Sequence, residues 1–176
     1  DGHGNEASPE YNRLWLNQLL EVASILEGYQ GYPAADLYKN PKFIKMFSAQ
    51  YPLILAGKYT AQIGDSGATG NPGLHESIEN AITAFIKFGD QVFAQMAYFL
   101  NNNSVSGLRG DIFTKDPESI GPRIQEVIEK YGELDLKSDN QTGYGFGVLR
   151  DGKNNKQYFG IQIPFAELNT FDATAG

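Results

Sequence analysis

Apolar residues recur at helical spacing through most of the chain, and the period changes to alternation only near its end. The first run carries Leu16, Leu19, Leu20, Ala23, Ile25 and Leu26, with Leu14, Trp15 and Val22 widening the stripe. This pattern predicts an amphipathic helix buried on more than one side. Ser8 is placed to cap it, Pro9 suits the first helical position, Glu10 complements the helix dipole and Gly28 closes it. Asn40-Pro41 opens a second helix in the same way, with Phe43, Ile44, Met46, Phe47 and Tyr51 as its apolar positions. Pro52 kinks or breaks that helix and Gly57 closes the segment.

A third run starts at His75 or Glu76 and continues through Ile78, Ile82, Phe85 and Ile86. It pauses at Gly89-Asp90, where Asp90 can cap the next helix, and resumes with Val92, Phe93, Met96, Ala97, Phe99 and Leu100. Asp116-Pro117-Glu118 begins a further helix, carrying Ile124, Val127, Ile128 and Tyr131 before Gly132. From Gly143 to Arg150 small or polar residues alternate with larger apolar ones, the period of a strand. Residues 151–156 have turn chemistry, and 157–165 read as the returning strand. The expected fold class is mainly α with a C-terminal β-hairpin, helical over 1–140 and β over 141–176. A lone hairpin is marginally stable in water, so it packs on the helices or opens a larger β domain.

Composition narrows the function classes. Against 14 Lys plus Arg stand 21 Asp plus Glu, a formal charge of −7. Neutralising phosphates needs a basic face, so nonspecific nucleic-acid binding is excluded. The longest apolar stretches fall far short of the ~20 residues that cross a bilayer, which argues against a membrane span. The absence of cysteine removes a disulfide framework, a zinc knuckle and a thiol nucleophile. Aromatics make up 12% of residues; core filling is their commoner use, and sugar stacking is the other. The chain opens at Asp1-Gly2 without Met or signal peptide and stops at Gly176 without a terminating helix. Both ends read as cut from a longer precursor.

Several motifs weaken on inspection. Gly64-Asp65-Ser66-Gly67 has the look of a serine-protease nucleophile segment, but it lies between helices and the chain has two histidines, His3 and His75. The glycine-rich stretch from Ile63 to Gly73 lacks the Lys-Ser/Thr ending of a phosphate loop and suits a rim instead. Two histidines do not make a multi-His metal site. His3, beside Asp1 and Glu6, is a ligand, a sugar contact or a solvated loop residue. Arg150 is a strand-end charge or a carboxylate binder. Tyr11 falls in the first turn of a helix, where free N–H groups and the positive dipole end favour a phenolate, as a tyrosine base requires. An aromatic that merely anchors the helix would sit there equally well.

Asp1-Gly2-x-x-x-Glu6-x-Ser8-Pro9-x-Tyr11 before a long amphipathic helix resembles a segment of the heparinase II/III-like polysaccharide lyases. Phe47 to Tyr51, Ile63-Gly64-Asp65-Ser66, the stretch Gly143 to Arg150 and finally Thr174-Ala175-Gly176 resemble further family segments in the same order. The resemblance implies the end of an (α/α) toroid followed by the start of an antiparallel β-sandwich. It implies cleavage of uronic-acid polysaccharide by β-elimination, with Tyr11 as the catalytic tyrosine and His3, Asn5, Glu6 and Asp65 as substrate contacts. Arg13, Lys58 and Arg109 are candidates to offset the substrate's charge. The implied partner is an acidic polysaccharide or oligosaccharide, with no nucleic acid and no membrane, in the periplasm or outside the cell. No cofactor is implied within this chain, and a structural divalent metal is compatible with the parent protein. The family's histidine and asparagine partners have no counterparts among these residues, so the isolated chain is expected to be inactive.

Two other readings stay open. One is a carbohydrate-binding relative without chemistry. The other is a glycoside hydrolase on an (α/α) toroid using Glu6 and Asp65, whose separation would be about 5–5.5 Å for retention and about 6.5–9.5 Å for inversion.

Overall fold

The computed structural model describes residues 2–4, 8–65 and 73–150. They are mainly α, with two small antiparallel strand pairs. The chain forms two compact units: one takes the described parts of Asp1–Trp15, Ala49–His75 and Leu136–Gly176, the other Leu16–Ser48 and Glu76–Asp135. Helix α1, Pro9–Leu26, contributes residues to both.

In α1 the buried positions Asn12, Leu16 and Ala23 form one stripe. Trp15 is 60% exposed and Ile25 80%. Burial on more than one side, as the widened apolar pattern suggested, is therefore not what the described residues show. At 100° per residue Trp15 and Val22 lie about 80–100° round the helix from that stripe and Ile25 about 160°, so one packing surface does not cover them all. Gly28, at φ +68°, follows the helix end.

The first unit holds both strand pairs. Strands β1, Ile54–Leu55, and β2, Tyr59–Thr60, pair Ile54 with Thr60 and Leu55 with Tyr59. Ala56 and Gly57 turn the chain between them at φ +51° and +63°, closed by Lys58 N donating to the Leu55 carbonyl at 3.0 Å. Strands β3, Asp139–Gln141, and β4, Phe146–Val148, pair Asp139 with Val148 and Gln141 with Phe146. Phe146 and Val148 point into a core with Leu53 and Ala61, against which Leu55, Ile63 and Tyr144 pack. The alternation read over 143–150 thus marks a real strand.

Among the described residues it pairs with β3. The chain folds back at Thr142–Gly145, where Gly145 has φ +72° and its N–H donates to the Gln141 carbonyl at 2.8 Å. The pairing strand lies upstream, where exposed Asp139 and Asn140 give no apolar alternation to read. The expected turn at 151–156 and strand at 157–165 lie outside the described residues.

The second unit is helical. Helix α2, Pro41–Met46, starts as expected: Asn40 Oδ1 accepts from Lys42 N at 2.9 Å, and Pro41 needs no donor of its own. It ends before Pro52 is reached, and Tyr51–Leu53 makes a 3₁₀ turn instead. Helix α3, Ile78–Phe88, begins later than His75, because Ser77 is extended and its hydroxyl caps Asn80 N at 3.2 Å. Gly89 ends it at φ +71°, and Asp90 caps α4, Gln91–Leu100, through Val92 N at 3.0 Å. After a 3₁₀ turn at Pro117–Ser119 comes α5, Ile120–Tyr131. Ala84, Phe85, Met96, Ala97, Ile120 and Ile124 are buried. Phe47 packs edge-on to Phe43 and Phe88, both with ring centroids at 5.3 Å. A Cβ on Gly121 would sit 3.0 Å from the Leu108 carbonyl, so glycine lets the start of α5 approach that loop.

Candidate functional site

The start of α1 is organised by Asn12. Its backbone N–H and its Nδ2 both donate to the Ser8 carbonyl at 3.1 Å, and its Oδ1 accepts from Gly4 N at 2.7 Å. One buried amide thereby fastens residues 2–4 to the first helical turn. Ser8 was expected to cap the helix; its hydroxyl is buried and has no hydrogen-bond partner among the described residues. The helix start is held from Asn12's side instead.

That arrangement places Tyr11 at the surface, 39% exposed, in the first turn of α1. Its hydroxyl donates to Asp65 Oδ2 at 3.4 Å. This is a long bond between exposed groups, easily exchanged for a ligand. It brings together two of the residues that the sequence nominated from segments 54 positions apart. Chemically, a phenol at a helix N-terminus can give its proton to a bound oxygen or, as phenolate, accept one.

His3 is held rather than presented. Its Nε2 lies 2.6 Å from Gln141 Oε1, and its ring stacks on Tyr144 with centroids 3.9 Å apart. Gln141, itself buried, donates Nε2 to the Ala49 carbonyl at 2.9 Å. That bond turns Oε1 toward the imidazole, so the ring must be the donor at Nε2. Burial holds the His3 pKa below its usual value, with the hydrogen bonds to Gln141 and to the Ala49 backbone pulling the other way. Gln141 and Tyr144 carried no signal as partners of His3 in the sequence, because only folding brings β3 and the 142–145 turn to residue 3.

Asn5 and Glu6 lie outside the described residues, and with Glu6 goes the carboxylate separation that the hydrolase reading needs. Of the basic candidates, Arg13 is half-buried on α1 and Lys58 is exposed beside β2. Arg109 belongs to the other unit, 3.7 Å from Glu118. Arg150 is committed to the backbone: its guanidinium donates to the carbonyls of Lys137, Pro52 and Ile54, the last at 2.9 Å. Among the described residues no three His, Asp or Glu side chains group to hold a metal ion, and no helix is long and apolar enough to cross a membrane.

The chain matches no protein-family model, no curated protein and no solved structure.

Proposed function

We propose that this chain contributes Tyr11 to the site of a polysaccharide lyase that cleaves a uronic-acid polymer by β-elimination outside the cytoplasm. The observation that supports the reading is the Tyr11–Asp65 pair: an exposed phenol at a helix start, hydrogen-bonded to a carboxylate of the loop that the family resemblance independently singles out. In this reading the helices are the end of an (α/α) toroid and β3–β4 belong to the start of a β-sandwich.

The reaction removes the proton at C5 of the uronide. Its electron pair becomes the C4–C5 double bond as the C4–O bond breaks, and the departing oxygen takes a proton. Tyr11 supplies that proton or accepts the one from C5, and the amide groups of the helix start stabilise the phenolate between steps. Asp65 holds the hydroxyl until substrate displaces it. The chain offers no counterpart for the family's histidine and asparagine, so we propose that these residues alone do not turn over.

The test is Tyr11→Phe in the full-length protein, following unsaturated uronide by its ultraviolet absorbance. Loss of general acid–base catalysis predicts turnover lower by about 10²–10⁴-fold with oligosaccharide affinity retained. Unchanged turnover overturns the role of Tyr11. Binding of acidic oligosaccharide by a wild-type protein that yields no unsaturated product overturns the lyase and favours a carbohydrate-binding protein.

A further inference from the structure

The helical unit contains a groove of about 850 Å³, within the range of small-molecule sites. One wall is α3, which presents Ile78, Ile82 and Ile86 at four-residue spacing, a ladder about 12 Å long at the helical rise. The other wall is the loop at 106–116. That loop is built to hold its shape: Gly110 N donates to the Pro117 carbonyl at 2.9 Å, and Asp111 Oδ1 accepts from Phe113 N at 3.1 Å and from the Thr114 hydroxyl at 2.7 Å. It nonetheless displays Phe113 at 88% exposure on the rim.

The charges in the lining are unevenly committed. Lys87 pairs with Glu27 at 2.7 Å and Arg109 with Glu118 at 3.7 Å. Asp111 is occupied by its own turn, and Glu79 accepts from the Ser77 hydroxyl at 2.7 Å. Lys115 and Arg123 have no carboxylate within ion-pair distance among the described residues, and Arg123 lies 5.1 Å from the centroid of Phe85. Against these two cations stands one uncommitted acid of the lining, Asp116.

From this arrangement we infer that the groove binds a small amphiphilic carboxylate, its acyl or aryl body along the isoleucine ladder and under Phe113, its carboxylate on Arg123 and Lys115. A planar guanidinium takes a carboxylate through two parallel N–H donors, and a ring beneath the guanidinium leaves its edge free to do so. A neutral alkyl chain would satisfy only the ladder, and a small anion only the cations. The inference does not depend on the role proposed for Tyr11.

Sodium decanoate and decanol, both below micelle formation, serve as probes in calorimetric titration of the protein and its variants, with amide shifts to locate the site. Saturable decanoate binding is expected, with shifts in 78–87 and 106–116. Arg123→Gln should weaken decanoate about tenfold, the worth of one charge-assisted bond, and leave decanol unchanged. Lys115→Gln, at an exposed loop position, keeps the test open should Arg123→Gln fold poorly, and should weaken decanoate in the same direction. No saturable binding, shifts confined to other residues, or equal decanoate affinity in wild type and in folded variants overturns the inference.

Discussion

Nε2 of His3 donates to Oε1 of Gln141 across 2.6 Å, although 138 positions separate the two residues. Gln141 uses its other end on the Ala49 carbonyl, so one buried amide joins the segment before α1, the segment before Tyr51 and strand β3. The first unit is tied at this point by hydrogen bonds, beside an apolar core of Leu53, Ala61, Phe146 and Val148.

Gln141→Leu keeps the volume of the side chain and removes both bonds. It takes the Gln141 donor from the Ala49 carbonyl and the acceptor from the imidazole N–H in a buried setting. Such losses cost about 1–3 kcal/mol for each unsatisfied group. The urea midpoint should therefore fall clearly, with an unchanged denaturant slope.

His3 makes stability depend on pH. Burial lowers its folded-state pKa below the ordinary value of about 6.5, so between the two values the unfolded chain binds the extra proton. Its contribution is complete above pH 6.5 and declines as the pH falls from there toward the lowered folded value. Urea midpoints measured downward from pH 7.5 should drop across this window, and His3→Phe, which preserves stacking on Tyr144, should flatten that part of the profile.

Arg150→Lys tests the backbone clamp. A guanidinium directs its donors in a fixed fork, and here they reach the carbonyls of Lys137, Pro52 and Ile54. An ammonium cannot meet all three from one position. Stability should fall by about 1–3 kcal/mol although the charge is kept, and amide exchange should quicken at Ile54 and at β3–β4 together.

Trp15 is the single tryptophan, which makes the exposed face of α1 directly readable. At 60% exposure its emission in the 176-residue chain should lie toward the red and be quenched by iodide almost as in denaturant. A blue-shifted, protected emission would mean that this face is covered.

Much of the local structure could be read before folding was considered. Asn40 and Asp90 cap helices where they were expected to, because such a cap needs only a side chain and an amide two residues away, and Gly132 ends α5 with its own backbone at φ +82°. Phe146 and Val148 face the core as their alternation implied. What stayed unreadable has the same origin in reverse. The partner of β4 is a polar strand whose pairing is decided by the glycine turn at 142–145, and hydrophobic period carries no information about it. Arg150 could have been a ligand for a carboxylate; three carbonyls from distant segments claim it instead.

The order of helices, the caps at Asn40 and Asp90 and a strand within 143–150 were legible in the sequence alone, since each depends on neighbours within a turn or two. It also nominated Tyr11 and Asp65, separately and for different reasons. Only the tertiary structure decided that these two meet at 3.4 Å, that His3 is locked to Gln141 and Tyr144, and that Ile78, Ile82 and Ile86 face a groove with Arg123. Those relations join residues tens of positions apart, and loop closure between such distant points leaves no periodic trace in the chain.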